Sequence, residues 1–136
     1  MYNHIVDGFM KIRDDYNKLK SPGSYYAYRG QPLAVFYPNM DKVIPSLYFI
    51  TIVSLLDELL DLYIQNNFPG AKKQGLDKRI TFLQDEGKLV DGQRLHHVRK
   101  NRNMYAHEFG KYATWEETDN LFVIIEKELK HLGILS

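Results

Sequence analysis

Residues 41–67 read D-K-V-I-P-S-L-Y-F-I-T-I-V-S-L-L-D-E-L-L-D-L-Y-I-Q-N-N, and the other segments have to be placed against them. Asp41 suits an N-cap, Pro45 falls in the first turn where a missing N–H does no harm, and Pro69-Gly70 stops the helix. Leu47, Ile50, Ile52, Val53, Leu55, Leu56, Leu59, Leu60, Leu62 and Ile64 cover most of the circumference. Thr51, Ser54, Glu58, Asp61 and Gln65 leave one narrow polar strip, with Asp57 at its edge. A helix this apolar needs neighbours on several sides. The segment therefore predicts the central member of a helical bundle. Its most apolar run, residues 44–56, is interrupted by Pro45, Ser46, Thr51 and Ser54 and meets Asp57 and Glu58. That run reads as too short and too polar for a bilayer span, which takes ~20 apolar residues, so no membrane association is expected.

On the N-terminal side, Ile5, Phe9, Ile12, Tyr16 and Leu19 form one helical stripe, with Lys11, Arg13, Asp14, Asp15 and Lys18 mostly off it. Ser21-Pro22-Gly23 ends that helix. Between Ser24 and Pro38 lies an aromatic-rich insertion carrying Tyr25, Tyr26, Tyr28, Phe36 and Tyr37. Its two extended runs, residues 25–29 and 33–37, either pair around Gly30-Gln31-Pro32 or form an irregular loop over the core. The tyrosines there are packing residues or, alternatively, stacking surfaces for bases.

On the C-terminal side, residues 71–75 are a basic loop. Leu76, Ile80 and Leu83 share a face of a short helix that ends at Gly87, and Asp91 can cap the next helix. Thr114-Trp115-Glu116-Glu117 is a capping box, opening a last helix with Phe122, Ile125, Leu129 and Leu132 on one face and Gly133 at its end. The expectation is one all-α domain over residues 1–136: about five helices, with the insertion between the first two.

Composition narrows the function classes. The chain has 136 residues and no cysteine, which removes disulfides, thiolate metal sites and cysteine nucleophiles and fits a reducing, cytoplasmic setting. The net charge is +1, so any nucleic-acid binding has to rest on a local patch. Residues 1–10 carry an acid where an export signal would have its apolar centre.

Such a patch lies at residues 94–110, R-L-H-H-V-R-K-N-R-N-M-Y-A-H-E-F-G, which hold three of the six arginines and three of the five histidines. Leu95, Val98, Tyr105 and Phe109 recur at helical steps, and Gly110 is a natural stop. Arg102 takes the place on that stripe between Val98 and Tyr105 where an apolar residue belongs. A guanidinium there needs a carboxylate, a phosphate or an interface, because an unpaired charge is costly to bury. His96, Arg99, Asn103 and His107 form a polar stripe beside it. Arg102 and His107 are separated by ~140° around the helix and ~7.5 Å along it. Arg94, Arg99, Lys100 and Lys111 are either a solvated basic face or phosphate contacts. His96 and His97 point to different faces, so no metal site is expected.

Arg102-Asn103-Met104-Tyr105-Ala106-His107 resembles the Arg-x4–6-His motif of the HEPN superfamily, in which a polar residue, often Asn, follows the Arg. The resemblance covers residues 41–135, with the insertion unaccounted for. It implies a small helical bundle and a metal-independent, cofactor-free RNA endonuclease of toxin or phage-defence type. It also implies a homodimer that brings two motifs into one cleft, and a possible antitoxin or other partner protein. Arg102, Asn103 and His107 would be catalytic: His107 as base or acid, Arg102 on the phosphorane oxygens, Asn103 positioning. Arg94, Arg99, Lys100 and Lys111 would bind RNA, and Glu58 or Asp57 would orient Arg102. A competing reading makes Arg102 a structural ion pair with Asp57 or Glu58, within an inactive RNA- or protein-binding module. Members controlled by tyrosine modification carry Arg-x4-His-x-Tyr. Here Glu108-Phe109 follows His107, which argues against that control.

Overall fold

The structure is a computed structural model that describes residues 2–20, 26–27, 31–32 and 40–136. Five helices make up the bundle: α1 (Asn3–Lys20), α2 (Met40–Asn67), α3 (Leu76–Asp85), α4 (Gly92–His107) and α5 (Trp115–His131). Two short strands, β1 (Tyr26–Ala27) and β2 (Gln31–Pro32), lie between α1 and α2 and pair antiparallel, Tyr26 opposite Pro32. The all-α expectation is met. The pairing is tighter than the sequence suggested, since Gln31 and Pro32 belong to the ladder rather than the turn. The expected run at 33–37 and the side chains of the aromatic insertion lie outside the described residues.

Helix α2 packs against each of the other four helices. Ile52, Val53, Leu56, Leu59, Leu60 and Ile64 are buried, and they join Phe9 and Tyr16 of α1, Ile80 and Leu83 of α3, Leu95 of α4 and Ile125 of α5 in the core. By length and composition α2 would pass as a membrane span, contrary to the reading of its 44–56 run. In the bundle Ile52, Val53, Leu56, Leu59, Leu60 and Ile64 are buried among other helices, Leu47 is exposed, and Thr51, Ser54, Glu58 and Gln65 form the exposed strip that was expected.

Several contacts fix the helices relative to one another. Tyr16 donates to Asp119 at 2.7 Å, and Arg13 pairs with Glu126, joining α1 to α5. Ser46 donates to the Lys42 carbonyl and accepts from the Ala113 amide at 2.9 Å, which seats the α4–α5 connection on the first turns of α2. Thr114 caps α5 by accepting from the Glu117 amide at 3.0 Å. Only that half of the expected capping box forms, because the Glu117 carboxylate accepts from Tyr105 and the Thr114 hydroxyl.

Candidate functional site

Helix α4 carries the candidate residues and is anchored at both ends. At its start the Asp91 side chain accepts from the Arg94 amide at 3.1 Å. Buried Glu128 of α5 accepts from the Val90 and Asp91 amides at 2.6 and 3.0 Å. At its far end Tyr105 meets the Phe49 ring edge-on, with centroids 5.1 Å apart, and donates its hydroxyl to Glu117. Burial and that carboxylate push the Tyr105 hydroxyl well above the ordinary phenol value, so it stays a donor.

The helix ends sooner than its apolar stripe suggested. His107 is its last residue, Glu108 is extended and donates its amide to Met104, and Gly110 takes a positive φ of 81°. Phe109 therefore does not continue the stripe. It is fully exposed, at 102% of its reference area. The correction has a local cause: once the chain turns at Glu108, helical spacing no longer decides where a side chain points. His107, Lys100, Arg94 and Lys111 are exposed, and Arg99, Arg102 and Asn103 are half-buried.

The relative run of the helices explains what Arg102 does not touch. Tyr105 lies against Phe49, whereas His96 lies against Thr81 of α3, only two residues from Arg79, whose partner is Asp57. Helices α2 and α4 are thus antiparallel at the Phe49 contact, and Asp57 is taken by Arg79 of α3. Arg102 lies six residues beyond His96, about 9 Å along α4.

Asp57 accepts from Arg79, which also faces Asp61 at 3.6 Å and donates to the Lys73 carbonyl at 3.1 Å. Glu58 is exposed. Among the described residues neither acid forms an ion pair with Arg102, so the expected carboxylate support for that side chain is not made within the chain. Arg79 went unread in the sequence. Its signal was two acids four apart, Asp57 and Asp61, opposite an arginine beside the Ile80 face.

The Nε atoms of Arg102 and Arg99 are both shielded from solvent and have no hydrogen-bond partner. His96 is held below its ordinary value of 6.5 by burial and then by the charges of Arg99 and Lys100, with Asp77 acting in the opposite sense. The surface of α4 between His96 and Arg102 is therefore a half-buried cationic strip. Among the described residues no three His, Cys, Asp or Glu side chains converge as a metal site would require.

Comparison with protein-family models, curated proteins and solved structures finds no match to this chain. The fold and the site define a five-helix bundle whose fourth helix presents a half-buried arginine pair and ends on an exposed histidine.

Proposed function

We propose that the chain is an HEPN-like RNA endonuclease, metal-independent, acting as a homodimer. The observation that carries this reading is Arg102: a half-buried guanidinium with no ion pair to an acid among the described residues, on the same terminal turns as exposed His107. A structural ion pair would have accounted for the arginine, and Asp57 is already engaged by Arg79.

In this reaction His107 takes the proton from a ribose 2′-hydroxyl. The 2′-oxygen forms its bond to phosphorus while the bond from phosphorus to the 5′-oxygen breaks, leaving a 2′,3′-cyclic phosphate. The departing 5′-oxygen takes a proton from the partner copy's His107, acting as imidazolium. Arg102 donates to the non-bridging oxygens as charge builds on them, where a planar fork fits better than an ammonium. Asn103 holds the 2′-hydroxyl or the arginine in register. Arg94, Lys100 and Lys111 meet flanking phosphates. Exposed Phe109, with Tyr112 and Leu47 also partly bare, gives this end of the bundle apolar surface on which a second copy can seat.

The exposed cations of α4 would equally serve an inactive module that binds RNA or a partner protein. One experiment separates the two: incubating RNA with wild type and His107→Ala in EDTA. Cleavage by wild type that disappears in the variant supports the enzyme. RNA bound but left intact by both supports the binding module.

A further inference from the structure

We propose that Arg99 is a second arm of the phosphate site, contacting the same phosphodiester as Arg102 rather than steering RNA at a distance. The arginines of the bundle sort by what they touch. Arg13 has Glu126, and Arg79 has Asp57 and Asp61. Arg94 lies on the exposed face. Arg99 and Arg102 alone among the described residues combine partial burial with a shielded, unpartnered Nε.

They are three residues apart on one continuous helix, hence about 4.5 Å along the axis and ~60° around it. Two cations at that spacing repel each other, and their partial burial reduces the water that screens them. An anion between them offsets both effects. Two arginines this close on one helix face can share a single anion that offers an acceptor oxygen to each. A phosphodiester presents two non-bridging oxygens, one for each fork.

The identity of the anion rests on the ribonuclease reading; the existence of an anion site does not. The first measurement is therefore made without RNA. Inorganic phosphate is titrated into the wild-type protein while the Nε–Hε signals of all the arginines are followed by NMR. Arg99 and Arg102 are expected to shift together along one saturation curve, with Arg13 and Arg79 still. Movement of Arg102 alone, or of neither, overturns the paired site.

The second measurement uses RNA and compares Arg99→Lys, Arg99→Gln and Lys100→Gln. Loss of one charge-stabilising donor at a reacting centre lowers kcat by about 10²-fold. That drop is expected for Arg99→Gln, and for Arg99→Lys too, since charge remains but the fork does not. Lys100→Gln is expected to raise KM more than it lowers kcat and to soften the salt dependence. If Arg99→Lys restores wild-type kcat, or Arg99→Gln matches Lys100→Gln, Arg99 is a steering charge only. If wild type cleaves nothing, the nuclease reading fails while the phosphate titration still decides the anion site.

Discussion

Asp57 on α2 accepts a hydrogen bond from Arg79 on α3, and Arg102 on α4 is left without that carboxylate. Both arginines lie beside an apolar stripe, so sequence spacing alone does not say which one Asp57 serves. The structure decides it: Arg79 takes Asp57, while Tyr105, three residues beyond Arg102, meets Phe49.

Asp57 is therefore a stability residue. Asp57→Ala leaves Arg79 with the weaker Asp61 contact and is expected to cost about 1–2 kcal/mol, the range for a partly exposed charged hydrogen bond. Urea unfolding measures the cost. The folded variant should cleave RNA at the wild-type kcat. A selective fall in kcat with unchanged stability would return Asp57 to the site.

Glu128 holds the start of α4. It is 2% exposed and accepts from two backbone amides. Glu128→Ala is expected to destabilise by about 2–4 kcal/mol, because both amides lose a charged acceptor inside the protein. Glu128→Gln should recover only part of this, since its NH2 would face an amide N–H. Chemical denaturation of the two variants checks the order.

Phe109 is the opposite case, a large apolar side chain exposed after the helix has ended. Phe109→Ser should leave monomer stability within about 0.5 kcal/mol of wild type. The proposed dimer, however, should weaken measurably in sedimentation. An unchanged dimer would move the interface away from this end of the bundle.

His96 makes stability depend on pH. Its folded value lies below 6.5, mainly through burial against α3 and then through Arg99 and Lys100. The unfolded chain therefore binds a proton there first as pH falls. This contribution is fully favourable above 6.5 and is lost as pH falls through the folded value. His96→Gln should narrow the gap between the Tm at pH 7.5 and at pH 5. An equal gap in both proteins would show that His96 is not the group responsible.

Much of the fold was legible because its signals were local. Leu76, Ile80 and Leu83 marked α3, Asp91 and Thr114 marked two helix starts, and the apolar girth of α2 marked the centre. What stayed hidden depended on tertiary partners. Glu128 lies on the buried stripe of Leu121 and Ile125, an anomaly of the same kind as Arg102, yet its reason is a pair of amides in a distant loop. The motif helix was legible to within two residues at its end, and Phe109 lay in that margin. Arg99 was visible as a cation, but its shielded Nε required the packing of α4 against α2 and α3.

The most direct test of the central claim is the chemistry of the 3′ ends left when wild type acts on RNA in EDTA. The account predicts fragments ending in 2′,3′-cyclic phosphate, formed by the strand's own 2′-hydroxyl. Intact RNA, or fragments ending in a free 3′-hydroxyl, would contradict it.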